Sequence, residues 1–123
     1  MDAYRPRFDR HHRPPRKPRI ADENIDRQIR VLHQAMAEKL LAQPALVEQV
    51  LAKLEERYRA GLIRHGAYMT WFSLLDNIDK REQFLAALLD DGFYMRKLRR
   101  RTPFVGILTE EERQAALLAD AVG

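Results

Sequence analysis

The sequence predicts an all-α fold: a small bundle of four to five helices preceded by a disordered, basic N-terminal arm. Three observations carry that expectation. Apolar residues recur at helical spacing through most of residues 20–123. Breaks fall at Gln43-Pro44, His65-Gly66, Asn77-Ile78-Asp79, Gly92 and Thr102-Pro103, where proline, glycine or a short polar group interrupts the pattern. Residues 1–19 hold four of the six prolines and too few apolar side chains to offset the entropy of ordering them. The chain therefore divides into an Arg/Pro-rich arm, residues 1–19, and a single helical domain, residues 20–123. A length of 123 residues allows one domain with a modest core.

Residues 22–42 form the first predicted helix, capped by Asp22. Ile25, Ile29, Leu32, Met36 and Leu40 make a narrow stripe with Arg, Gln, Glu and Lys opposite, and His33 lies at its edge. Pro44 suits the first position of a second helix over 45–64, antiparallel to the first or sharply bent from it. Val47, Val50, Leu51, Leu54, Tyr58 and Leu62 share its face. Gly61 falls on that face as a point of close crossing, and Gly66 is the expected left-handed stop. The third helix, 67–76, aligns Tyr68, Trp71, Phe72 and Leu75 at i, i+3, i+4 and i+7. A fourth, 80–91, opens on an Asp79/Glu82 capping box and buries Phe84, Leu85, Leu88 and Leu89. The last, 110–121, is announced by the Thr109/Glu112 capping box and offers Ala115, Leu118, Ala119 and Val122 to the core. Between them, Pro103-Phe104-Val105-Gly106-Ile107-Leu108 is too apolar for a free loop and should tuck against the core or meet a partner.

The densest positive charge outside the arm lies at Arg96, Lys97, Arg99, Arg100 and Arg101. On a helix, Tyr94, Met95 and Leu98 fall to one side, Arg96, Lys97, Arg99 and Arg100 to the other, and Arg101 near the border. One or two cations complement a helix C-terminus. Five so close repel one another unless an anion lies near. Asp90 and Asp91 precede the run and Glu110–Glu112 follow it, so internal pairing competes with a free anion-binding face.

Charge is unevenly placed. Arg5, Arg7, Arg10, Arg13, Arg16, Lys17 and Arg19 against Asp2 and Asp9 give residues 1–19 a net +5, whereas the whole chain is +4. Such asymmetry points to nucleic acid, anionic lipid or an acidic protein as partner. Tyr4 and Phe8 lie among the arginines, a mixture that can hold a phosphate backbone and stack on bases. The absence of Cys excludes disulfides and thiolate metal sites. No apolar run is long enough to span a membrane and no secretory leader is visible, so the cytoplasm is the expected location.

Chemistry is conspicuous by its absence. There is no phosphate-cradling glycine motif, no G-x-S-x-G, no H-E-x-x-H and no EF-hand loop. Ser73 is the sole serine, and His11, His12, His33 and His65 share no metal-binding spacing. The expectation is a non-enzymatic protein without metal or cofactor. A helix-turn-helix outline exists in the fourth helix, Gly92 and the basic segment. That segment is short, however, and lacks the Asn, Gln, Ser or Thr that read base edges.

The leading expectation is a nucleic-acid-associated protein, for DNA or RNA. It would contact phosphates through Arg5, Arg7, Arg10, Arg13, Arg16, Lys17 and Arg19 of the arm and through Arg96, Lys97, Arg99, Arg100 and Arg101. The alternative is a protein–protein adaptor or inhibitor of the phage- or plasmid-accessory kind, or a homodimer, using Trp71, Phe72, Phe104 and Ile107. Association with an anionic membrane through the arm ranks third, because one polybasic segment anchors weakly.

Overall fold

The computed structural model describes residues 20–122, with side chains from Asp22 onward. The expectations for residues 1–19, including the seven cations from Arg5 to Arg19, lie outside the described residues. Six helices follow in order: α1 (Ile20–Ala42), α2 (Leu46–Arg59), α3 (His65–Asp76), α4 (Arg81–Leu88), α5 (Phe93–Arg99) and α6 (Glu110–Val122). The class is all-α, with no strand among the described residues. The count exceeds four to five because Gly92 and Pro103 isolate the basic segment as a helix of its own.

α1 is the spine, packing on α4, α5 and α6, while α2 pairs with α3 rather than lying against α1. Its stripe is buried only toward the C-terminal half. Met36, Ala37 and Leu40 are inside, whereas Ile25 is half exposed. Asp22 lies within the first turn, not at the cap, since the helix already begins at Ile20.

The centre of the core is aromatic and draws on three parts of the chain. Trp71 of α3, His33 of α1 and Phe104 of the 103–108 segment meet with ring centroids 5.4–6.4 Å apart. Such tilted and offset arrangements add to the area that the rings bury. His33 is therefore a core residue and not a boundary one, because α3 and the 103–108 segment close over that edge of the stripe. Its Nδ1–H donates to the Ile29 carbonyl at 2.8 Å, which fixes the tautomer, and Nε2 has no partner. Burial lowers its pKa from 6.5 to about 4.

Several local expectations need correction. α2 ends at Arg59, not residue 64. Gly61 takes φ +74°, Gly61 N–H donates to Tyr58 O at 3.1 Å and Leu62 N–H to Arg57 O at 2.9 Å. This is a Schellman stop with glycine at the left-handed position. Gly66, assigned that role from sequence, instead sits in the first turn of α3. With the helix ended, Leu62 faces solvent and Gly61 makes no helix crossing. α4 starts one residue late for the Asp79/Glu82 box: its N-cap is Lys80, and no side chain caps it.

The Thr109/Glu112 box does form, with Glu112 N–H to Thr109 Oγ1 at 3.1 Å and Thr109 N–H to Glu112 Oε1 at 2.9 Å. Glu112 also receives Lys39 Nζ at 2.7 Å, which ties the start of α6 to the end of α1. α6 then packs through Ala116, Leu117 and Asp120, all half-buried, and its predicted inner residues Ala115, Leu118, Ala119 and Val122 point outward. The Arg27–Asp120 ion pair at 3.1 Å lies on the packed side. The apolar 103–108 segment does tuck in. Pro103, Phe104 and Ile107 are buried, and the turn between them uses Gly106 at φ +78°.

Candidate anion-binding surface on α5

α5 starts at Gly92, where the Asp90 carboxylate accepts the Gly92 N–H at 3.0 Å. The helix is seven residues long and buries Met95, Leu98 and Arg99. That i, i+3, i+4 set defines its inner face. The sequence reading chose Met95 and Leu98 correctly but placed Tyr94 inside and Arg99 outside. The real face is rotated so that Arg99 goes in and Tyr94 comes out.

Arg99 is a structural cation. Its Nη1 donates to the carbonyls of Leu88 at 2.8 Å and Asp90 at 2.7 Å. Arg30 from α1 takes the carbonyl between them, Leu89, at 2.7 Å. These are the orphan acceptors at the end of α4, and two guanidinium groups satisfy them while countering the negative end of the dipole. Arg99 Nε and Nη2 have no hydrogen-bond partner, and Asp91 lies 3.9 Å from Nη2. Burial and the neighbouring Arg30 lower the Arg99 pKa from its usual value. Arg99 is thereby removed from the set of candidate phosphate contacts.

Two further cations are paired. Arg96 grips Asp91 through Nε to Oδ1 at 3.0 Å and Nη2 to Oδ2 at 2.9 Å. That hydrogen bonding raises the Arg96 pKa and lowers that of Asp91. Arg100 makes the same two-pronged contact with Asp26 of α1, at 2.8 and 3.0 Å, and its pKa rises for the same reason. Acid–base balancing within the fold is thus real. Its second partner is Asp26 and not the Glu110–Glu112 run, which serves Lys39, Arg113 and Gln114.

Lys97 and Arg101 remain. Both are exposed, and neither has a carboxylate within 4.0 Å among the described residues. The backbone at Arg101 is held by Arg57, whose Nη1 donates to Arg101 O at 3.1 Å and Thr102 O at 2.9 Å. On the same outer side stand two aromatics that sequence reasoning missed, Phe93 at 82% exposure and Tyr94 at 52%. Phe93, Lys97 and Arg100 are spaced i, i+4, i+7, and Tyr94, Lys97 and Arg101 i, i+3, i+7. The signal was present in the sequence. Phe93 lies well away from Met95 and Leu98 on a helical wheel, so packing through those two leaves it outside.

The adaptor reading fares differently. Trp71, Phe104 and Ile107 are buried in the core and offer no docking surface, because they fill the space between α1, α3 and the 103–108 segment. Phe72 alone is partly available, at 39% exposure. It ends a run of rings in which Tyr68 stacks on Tyr58 at 4.0 Å, with Phe72 6.2 Å from Tyr68 and His65 5.9 Å from Tyr58. Tyr58 and His65 are hydrogen-bonded at 2.8 Å, and the Tyr68 hydroxyl donates to Glu55.

No group of three or more metal-ligating side chains occurs among the described residues. None of the described helices is long and apolar enough to cross a membrane. Comparison with family models, with curated proteins and with solved structures finds no match.

Proposed function

We propose that the chain is a non-enzymatic nucleic-acid-associated protein. Lys97 and Arg101 supply a structured phosphate contact, and the cations of residues 1–19 supply further sequence-independent ones. One observation carries this reading. Of the five cations at 96–101, three have internal partners, and Lys97 and Arg101 are left exposed with no carboxylate partner among the described residues, in the same segment as exposed Phe93 and Tyr94. Cations held without a counter-charge on a rigid element cost self-repulsion, which an anionic ligand relieves. They position a ligand without reading its sequence, consistent with the scarcity of amide side chains on this helix.

The test is the salt dependence of binding. For phosphate contacts, log affinity falls with log salt at about −0.9 per phosphate neutralised on duplex and about −0.7 on a single strand. The double variant K97Q/R101Q should flatten the slope by the equivalent of about two phosphates. Deletion of residues 1–19 should flatten it further. A slope unchanged in both variants, or no binding to DNA or RNA at low salt, sinks the proposal.

A second reading, a protein–protein adaptor or a homodimer, is favoured by the half-exposed rings of Tyr58, Tyr68 and Phe72 together with exposed Met69. Aromatic side chains of this kind dominate interface energetics. Light scattering that gives twice the monomer mass, lost in the variant F72E, would support it.

A further inference from the structure

The exposed rings on α5 narrow the class of nucleic acid, an inference that rests on the reading above. Phe93 is the most exposed large apolar side chain of the described residues, at 82%. Tyr94, beside it, is 52% exposed even though its hydroxyl reaches Thr70 Oγ1 of α3 at 3.1 Å. That bond anchors the ring to the body of the protein while half of its surface stays in water. Lys97 lies one turn further on, and Arg101 follows in the turn just past the end of α5. Two adjacent rings, then Lys97 and, past the helix end, Arg101, two cations with no carboxylate partner among the described residues, give the segment an apolar and then a cationic character.

Duplex nucleic acid can use the apolar half only by unstacking a base step, which costs free energy. Its bases are already stacked on one another, and it presents phosphates and groove edges to a short helix. A single strand can turn its base faces onto exposed aromatic rings while its phosphates meet nearby cations. Every base has a π-face, so such a platform tolerates any sequence. The lack of Asn or Gln on this helix fits that tolerance.

We propose that the outer face of α5 binds single-stranded nucleic acid, with Phe93 and Tyr94 stacking on bases and Lys97 and Arg101 meeting the adjacent phosphates. The full chain is titrated into a fluorescein-labelled oligo-dT 20-mer and into a mixed-sequence duplex of equal length, at one low salt concentration. The single strand should bind more tightly. The variant F93A/Y94A should weaken single-strand binding by about tenfold or more while changing duplex binding by less than about twofold. The variant F93W should keep single-strand affinity and show tryptophan quenching on binding. K97Q/R101Q should weaken both ligands. Phe93 is largely in water, so F93A should unfold at the wild-type urea midpoint, whereas Y94A, which loses the bond to Thr70, should lower it slightly, and the double variant should remain folded under the binding conditions. Equal or tighter binding of the duplex, or an equal loss for both ligands in F93A/Y94A, overturns the single-strand inference and leaves nucleic-acid binding standing. Failure of the wild-type chain to bind either ligand overturns both.

Discussion

Arg99 and Arg101 are two residues apart and chemically identical, yet one is buried at the end of α5 and the other exposed in the turn that follows it, and they belong to different kinds of physics. On the inner side, Arg99 lies against the last carbonyls of α4, buried with the core residues Met95 and Leu98. On the outer side, Arg101 is exposed, in company with Lys97 and the rings of Phe93 and Tyr94. The inner side is defined by what it satisfies, the orphan acceptors and opposed acids at a helix end. The outer side is defined by what it leaves unsatisfied. A basic stretch is thus no single feature: Arg99 is buried against the end of α4, Arg96 and Arg100 pair with acids of the fold, and Lys97 and Arg101 have no carboxylate partner among the described residues.

The sharpest way to break this contrast between buried and exposed side chains is to truncate one aromatic of the core and one of the outer side of α5. Trp71→Ala should cost about 4 kcal/mol, from lost burial and the cavity left among His33 and Phe104. Phe93→Ala should stay within about 0.5 kcal/mol. Urea unfolding of the two variants checks this, and a comparable loss in both would show that Phe93 packs in solution.

Next in size is the pH dependence contributed by His33. Its pKa is lowered to about 4 in the folded state from 6.5. Between those values the unfolded chain binds more protons than the folded one, so stability falls as pH drops through this window and is complete above it. The loss from pH 7 to pH 4 should approach about 3 kcal/mol at the limit. Carboxylates such as Asp91 and Glu112, whose pKa values are lowered by Arg96 and Lys39, add to the loss from the lower end of this window downward, as pH falls through their ordinary values of about 4. His33→Leu should flatten the pH dependence of the urea midpoint between pH 6.5 and 4.

Smaller again is the arginine pair itself. Arg99→Ala should destabilise by about 2 kcal/mol, because the carbonyls of Leu88 and Asp90 lose their donor in a buried setting. Arg101→Ala should fall within about 0.5 kcal/mol. Equal effects would erase the distinction between the two faces. The smallest contrast concerns two glycines. Gly61→Ala should cost about 1 kcal/mol, since φ +74° is unfavourable for any Cβ. Gly66→Ala should be neutral or stabilising by up to about 1 kcal/mol, because Gly66 is helical and an added Cβ meets nothing within 4 Å. Thermal or urea melts separate the two.

Much of the fold was legible because it depends on local rules. Periodicity placed the helices, the Thr109/Glu112 box marked the start of α6, and the apolar 103–108 segment announced its own burial. The need to compensate Asp90 and Asp91 anticipated the Arg96–Asp91 pair. The errors came where a helix offers two nearly equivalent faces. In α6, neither the chosen face nor the packed one is strongly apolar, and the Arg27–Asp120 pair sides with the latter. In α5, seven residues give too short a stripe to fix rotation to better than one position. Between Gly61 and Gly66 the sequence supplied two candidate stops with no local means of choosing.

Sequence alone determined the helical class, most of the breaks and the excess of positive charge in residues 1–19, because these depend on neighbours along the chain. Only the tertiary structure decided which cations find an internal partner among the described residues and which do not. Asp26 lies 74 residues before Arg100, and Arg30 lies 59 before Leu89. A guanidinium is paired by whatever carboxylate the fold brings within about 4 Å of it, or donates to whatever carbonyl comes within about 3 Å, and no local pattern states those distances.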